Sequence, residues 1–337
     1  MTASLDRNLI ERLTRPGLRL SGLEDWLMNE VWTQASFEAA GRSPQKYLVR
    51  GETLVNEREN LLRASASSLF NELASEPAKE KTISSFLARN SKLAVVVFDG
   101  CSLREMPRLL DLAKASGREV LEYACSRAAV PSETEYFISE RLGPGLPSVG
   151  PSRLSERGEL KQKNIRYYYY GQTTDHHTIQ EGGHDVGQDG EESFLLWSRF
   201  PDQRYTDSSA TSEAMFDGIW DGLEQAWKRT VQAVPPGRTV LVTSDHGYIF
   251  LGSGLSDPAM KGVARVLDGG RFRLFDQNGS MPEADSGLYI DASRKLAVMA
   301  GRGHNRFPGP NSQSIYRHGG LTLMEMLTPW IVLGPVQ

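Results

Sequence analysis

Six residues of this chain have types and settings that suit chemistry: Asp99, Thr134, Asp202, Asp245, His246 and His318. Carboxylates and imidazoles form the ligand set that suits Zn2+ or Mn2+. Such an ion can lower the pKa of a neighbouring hydroxyl and neutralise charge on a phosphoryl oxygen. A hydroxyl alone is a weak nucleophile, and no histidine is adjacent to Thr134 in sequence, so metal activation is its natural partner. The combination points to phosphoester chemistry.

These residues need elements to hold them, and the apolar patterning supplies candidates. Val240 to Gly247, VLVTSDHG, follows the turn-forming Pro235-Pro236-Gly237 and reads as a buried strand that ends abruptly in polar residues. Ligands of open α/β sheets collect beyond the carboxyl ends of strands, so Asp245 and His246 occupy the customary place; taken alone, the tripeptide with Gly247 reads equally well as a polar turn. LAVVVFDG, from Leu93, is a second buried strand with Asp99 at its tip, where a helix cap is the competing reading. An amphipathic helix over Leu103–Ala115 and a short strand over Glu119–Tyr123 begin a βαβ alternation. SFLLWSRF, Ser193–Phe200, is a further strand, leading to Pro201-Asp202 and a turn ending near Asp207. A long helix is expected over Glu213–Gln232, a hairpin over Val263–Leu267 and Arg271–Phe275 around Asp268-Gly269-Gly270, and strands over Leu296–Ala300 and Trp330–Leu333.

Around Thr134 the sequence is AVPSETEYFISERL, in which Pro131 breaks the chain and Ser132 or Thr134 opens a helix. One reading is a capping box between Ser132 and Glu135. The other is a hydroxyl beside free backbone N–H groups, where a phosphate binds and a nucleophile benefits.

Residues 1–90 read as helices, at Leu5–Leu13, Leu23–Trp32, Leu54–Leu73 and Ile83–Leu87, a region that packs on or recruits something to the α/β domain expected over residues 91–337. Residues 146–192 form an insertion and lid candidate. They hold Asp175, His176, His177, His184 and Asp185, which match no known ligand spacing and read as a surface loop. The run Tyr167–Tyr170 reads either as a stacking surface for bases or sugars or as a strand with alternate rings buried.

Composition narrows the class. The 337 residues are 39% apolar, enough for a sizeable core, and the net charge of −4 lacks the footprint of a double-stranded DNA binder. Arg153, Arg157, Lys161, Lys163 and Arg166 are interleaved with Glu156 and Glu159 and read as a solvated face. No apolar run reaches the ~20 residues of a membrane span, and the first residues are charged and amphipathic, so a cytoplasmic location without a membrane partner is expected. Cys101 and Cys125 read as reduced thiols.

Four motifs in order, VVVFDG, Pro131-Ser132-Glu133-Thr134, VTSDHG and RHGGLTLMEMLTPWIVL, make the chain from about Leu93 onward resemble the PglZ domain. This is a branch of the alkaline phosphatase superfamily found in bacterial phage-resistance systems and some response regulators. The resemblance implies an α/β fold with a central, mostly parallel sheet flanked by helices. It also implies a first metal site of Asp99, Thr134, Asp245 and His246, and a second that includes Asp202 and His318. Other branches place a histidine a few residues after the second-site aspartate, where this chain has Thr206 and Asp207. Three arrangements follow: Asp207 as an oxygen ligand, water in the gap, or a single ion.

The activity implied is that of a cytoplasmic phosphoesterase dependent on Zn2+ or Mn2+, more a phosphodiesterase for nucleotides or oligonucleotides than a monoesterase, with Thr134 as the catalytic nucleophile and defence-system proteins as partners. The alternative is a catalytically weak or inactive PglZ-fold scaffold in a defence complex, with residues 1–90 as its docking module. The missing imidazole favours the scaffold; a hydroxyl among metal ligands favours the enzyme. A nucleic-acid-binding module is disfavoured by the charge.

Overall fold

The structure, a computed structural model, describes residues 19–336 apart from 66–67, 76–80, 90–91, 143–145, 147–148, 157–159, 161–163, 172–191, 207–212, 253, 256, 258–259, 278, 284–286 and 304–314. The chain begins with helices α1 (Arg19–Trp26), α2 (Gln34–Ala39), α3 (Pro44–Ser65), α4 (Ser68–Ala74) and α5 (Ile83–Leu87), with a π-helical turn over Leu27–Val31. These occupy the expected helical stretches from Leu23 onward; Leu5–Leu13 lies outside the described residues. Then follow β1 (Leu93–Phe98), α6 (Met106–Ala115), β2 (Val120–Arg127), α7 (Thr134–Phe137), β3 (Ile165–Tyr170), β4 (Ser193–Ser198), α8 (Asp202–Thr206), α9 (Met215–Arg229) and β5 (Thr239–Thr243). The remainder comprises β6 (Ile249–Phe250), α10 (Lys261–Val266), β7 (Phe272–Leu274), β8 (Leu288–Asp291), β9 (Leu296–Met299), β10 (Tyr316–Arg317), α11 (Leu323–Met326) and β11 (Leu327–Leu333).

Six strands form the central sheet in the order β2-β11-β5-β1-β4-β3. β4 and β5 flank β1 in parallel, β3 extends β4 in parallel, and β11 runs antiparallel to both β5 and β2. The fold is thus α/β with a mostly parallel sheet. Continuous apolar runs are what such strands require, because both faces are covered. Ala94, Val96 and Phe98 of β1 enter one core with Phe216, Ile219, Leu223 and Trp227 of α9, while Leu93, Val95 and Val97 enter the other with Ile83, Phe86 and Phe137. The tips of β1, β4 and β5 meet at one edge, and there the acids gather.

The tyrosine run is the edge strand β3, inside the stretch expected as an insertion. Tyr168 is buried in one core, and Tyr167 and Tyr169 pack on the other. Asp175, His176, His177, His184 and Asp185 lie outside the described residues. The expected hairpin is corrected: Lys261–Val266 is helix α10, and Phe272–Leu274 pairs with β9 instead. Asp268 and Gly269, at φ 55° and 82°, terminate that helix, with Gly269 N–H donating to Ala264 O at 2.8 Å. Left-handed residues serve helix C-termini as well as hairpins, and Val263 and Leu267, four apart, share a helical face against Leu288 and Met299.

The N-terminal helices share the core of the sheet. Phe37 stacks on Trp220 of α9 with centroids 4.6 Å apart, and Trp32 Nε1–H donates to Met324 Sδ at 3.3 Å. Buried charge joins them too. Glu52 of α3 accepts from Arg104 Nε at 2.6 Å and from Arg302 Nη1 at 2.5 Å; Glu59 lies 3.2 Å from Arg302 Nε and accepts from Leu323 N–H at 2.7 Å. Arg271 grips Glu325 through Nε and Nη2 at 2.5 and 2.6 Å, and Glu105 accepts from Tyr205 and Tyr248 at 3.1 and 2.9 Å.

Candidate metal centre

Asp99 stands immediately after β1, and Asp245 and His246 immediately after β5, its parallel neighbour. Backbone groups lock these tips together. Gly100 N–H donates to Asp245 Oδ1 at 3.0 Å, Cys101 N–H to Ser244 Oγ at 3.0 Å, and Ser244 Oγ–H to His246 O at 2.8 Å. Asp202, beyond β4, is brought in by its own N–H, which donates to Asp99 O at 2.9 Å. Gly100 permits that approach: it sits at φ +71°, and a Cβ there would meet Asp202 Cβ at 3.0 Å.

Thr134, first residue of α7, reaches into this group. Its Oγ1–H donates to Asp245 Oδ2 at 2.6 Å, and the oxygen lies 3.4 Å from Asp99 Oδ1 and 3.3 Å from His246 Nε2. The capping-box reading of this turn is corrected. The N-cap is Glu133, without a side-chain cap bond, and Ser132 Oγ instead accepts from Gly319 N–H and donates to Gly320 O, both at 2.9 Å. Ser132 therefore ties the Thr134 turn to the loop that carries His318. Capping boxes occur elsewhere, at Ser102 with Glu105 and Thr322 with Glu325.

The two imidazoles stack, with ring centroids 4.2 Å apart. His246 Nδ1 lies 2.9 Å from Gly247 O, and since a carbonyl can only accept, Nδ1 carries a proton and Nε2, which faces the acids, is the ring nitrogen available to an ion. His318 Nε2 faces Asp202 Oδ1 at 3.5 Å, while its Nδ1 lies 3.2 Å from Glu133 Oε1 and 3.3 Å from Ser132 O. Two sets of donor atoms each lie within 4.8 Å of one another: Asp99, Asp245 and His246, and Asp202, His246 and His318. His246 belongs to both, but one nitrogen lone pair serves one ion.

Electrostatics make the cluster costly as it stands. Burial pushes the Asp99 carboxyl well above its ordinary pKa, and Asp245 and Asp202 push it further, against the N–H that Trp197 Nε1 donates to Asp99 Oδ2 at 3.1 Å. His318 is held well above the ordinary imidazole value: burial opposes this, but the Glu133 carboxylate, by charge and hydrogen bond, and Asp202 and Asp99 outweigh it. Glu133 is correspondingly lowered; burial raises it, and His318 and His246 prevail. Among the described residues no lysine or arginine pairs with Asp99, Asp202 or Asp245, and Asp202 Oδ1 is buried without a hydrogen bond. An orphaned carboxylate oxygen in an oxygen–imidazole donor set fits a divalent cation.

All six residues singled out from sequence thus converge. Asp207 lies outside the described residues, and Thr206, exposed, turns its hydroxyl back to Asp202 O at 3.2 Å. Sequence reasoning missed Glu133 and Trp197. The only signal for either was position, one before Thr134 and the other beside the β1 tip.

Residues 189–333 match the family model described as the BREX system PglZ alkaline phosphatase-like domain, a stretch that includes Asp202, Asp245, His246 and His318. No curated protein matches the chain. Similar solved structures include murine ectonucleotide pyrophosphatase/phosphodiesterase 5, at 15% identity over 72% of this chain and 88% of that one with a TM-score of 0.41. The same murine protein in complex with AMP shows 13% identity, coverage of 72% and 87%, and a TM-score of 0.40. Phosphonoacetate hydrolase from Sinorhizobium meliloti 1021 in complex with phosphonoacetate shows 12%, 72% and 90%, and 0.35.

Proposed function

We propose, with residues 189–333 as a PglZ alkaline phosphatase-like domain for premise, that this chain is a metal-dependent phosphoesterase that uses Thr134 as nucleophile. The observation that carries the reading is the placement of Thr134 Oγ1 between Asp245 Oδ2, Asp99 Oδ1 and His246 Nε2, at 2.6, 3.4 and 3.3 Å. A hydroxyl serving only as a helix cap would face backbone N–H groups. Asp99, Asp245 and His246, with the hydroxyl, would hold one Zn2+ or Mn2+; Asp202 and His318 would hold a second, more weakly, because His246 is already engaged. The bound ions would activate the hydroxyl and neutralise charge on the phosphoryl oxygens.

The residues divide the work. Asp245 aims the Thr134 oxygen through its short hydrogen bond, and Asp99 is itself steadied by Trp197. Thr134 Oγ1 forms a bond to phosphorus as the bond to the leaving oxygen breaks, and water then cleaves the phospho-threonine and restores the hydroxyl. Diesters of nucleotides or oligonucleotides are the substrates we favour, with phage defence in the cytoplasm as the setting; the PglZ match supports this.

A chromogenic phosphodiester with Mn2+ or Zn2+ tests the reading. Turnover should require the metal and fall by on the order of 10³-fold or more in Thr134→Ala. Undiminished turnover in that variant would remove Thr134 from its role. The second reading, a scaffold that keeps the fold, draws on Thr206 spending its hydroxyl on the Asp202 backbone carbonyl and predicts metal binding without turnover.

A further inference from the structure

Glu133 takes no part in the steps above, yet it is half-buried between the nucleophile and His318. Its Oε1 lies 3.2 Å from His318 Nδ1, on the ring edge opposite the Nε2 that faces Asp202. A carboxylate behind an imidazole fixes which nitrogen carries the proton, aims the ring and makes the far nitrogen a better donor. His246 has only a neutral carbonyl there, Gly247 O, whereas His318 Nδ1 has the carboxylate beside the Ser132 carbonyl at 3.3 Å. The two rings are therefore held differently.

The loop carrying His318 is shaped around this carboxylate. Gly319 sits at φ +99°, and a Cβ there would meet Glu133 Oε1 at 2.6 Å. Any larger residue would therefore displace Glu133 from His318. Ser132, next to Glu133, accepts the Gly319 N–H at 2.9 Å and keeps the loop in register with the carboxylate. The side chain has no competing duty at the helix it precedes, since it makes no cap hydrogen bond there.

We propose that Glu133 is a positioning residue for the second cation, orienting His318 through Nδ1 so that Nε2 and Asp202 form the weaker of two divalent sites. This rests on the reading of His318 as a ligand. It assigns a purpose to the residue before the nucleophile and to the first glycine of the His-Gly-Gly motif.

Zn2+ titration of the metal-free full-length protein against a competing chromogenic chelator tests it, with parent, Glu133→Ala, Glu133→Gln and His318→Ala compared. The expected result is that Glu133→Ala weakens the weaker Zn2+ equivalent about 10–100-fold while the tighter one is unchanged. Glu133→Gln, which keeps an acceptor but loses the charge, should lie between Ala and parent. Nitrogen-15 spectra of the zinc-loaded protein give a second readout: a His318 Nδ1–H that is protected in the parent and exchanges faster in Glu133→Ala, where only Ser132 O remains to accept it. If His318→Ala weakens Zn2+ binding while both Glu133 variants match the parent, the assignment of Glu133 is overturned and the metal reading stands. If His318→Ala itself leaves Zn2+ binding unchanged, the reading of His318 as a ligand fails, and the role of Glu133 fails with it.

Discussion

Glu52 and Asp99 are both buried carboxylates, but Glu52 lies between two guanidiniums and Asp99 beside two more carboxylates. Around Glu52, each acid has a partner: Arg104 and Arg302 for Glu52, Arg302 for Glu59, Arg271 for Glu325, and tyrosine hydroxyls for Glu105. Opposite charges face one another throughout that region, and its residues join helix α3 to loops far away in sequence. Around Asp99 the acids gather at the strand tips with neutral donors and imidazoles but, among the described residues, no lysine or arginine. Burying a carboxylate costs several kcal/mol unless it is paired, so the first arrangement serves the fold, and the second is one that a bound cation would complete.

The largest effect should come from Glu52→Ala, which strands two buried guanidiniums and should destabilise by about 3–5 kcal/mol, read from denaturant midpoints in metal-free protein. Asp99→Asn, in a carboxylate whose folded pKa is raised, should do the opposite. Native Asp99 binds its proton more tightly than the unfolded chain does, so the parent loses stability as pH rises from the unfolded value toward the folded one. Above that window the metal-free Asn variant should be no less stable than the parent. An equally large loss there would mean that the two clusters are built alike.

A metal should reverse the order. At Zn2+ about 100-fold above its dissociation constant, the parent should gain about 2.7 kcal/mol, and Asp245→Asn should gain little; calorimetric melts compare them. The smallest effect belongs to the periphery, where Arg294 pairs with Asp291 and donates to Val130 O at 2.7 Å, behind the Thr134 turn. Burial raises the Asp291 carboxyl, but hydrogen bonds from Ser293 and Arg294 together with the Arg294 charge outweigh it and hold it down at about 2. Its contribution is present above the unfolded carboxylate value and is lost as pH falls toward 2. Asp291→Asn should therefore cost under about 1 kcal/mol at neutral pH, after solvent screening, and nothing in acid.

The two regions also differed in legibility. The strand tips could be read because doubly covered strands need unbroken apolar runs, and LAVVVF and VLVT end abruptly in acids. The Glu52 network could not, since its partners lie 52 and 250 residues away and no local pattern marks them. Glu133 was hidden by a local alternative, as Ser132 and Glu135 have capping-box spacing, and only the fold shows Ser132 reaching Gly319. The Asp268-Gly269-Gly270 signal misled for a similar reason, because a helix end and a hairpin need the same left-handed backbone. The expected imidazole after Asp202 is not supplied by Thr206, and the third donor near Asp202 and His318 is His246, from a strand end distant in sequence.

A cation should bind where the acids of the three strand tips meet. Crystals soaked in Zn2+ or Mn2+ and measured at the metal's absorption edge test it most directly. An anomalous peak is expected where Asp99, Thr134, Asp245 and His246 meet, with a weaker one between Asp202 and His318. A cleft without anomalous density at saturating metal would contradict it.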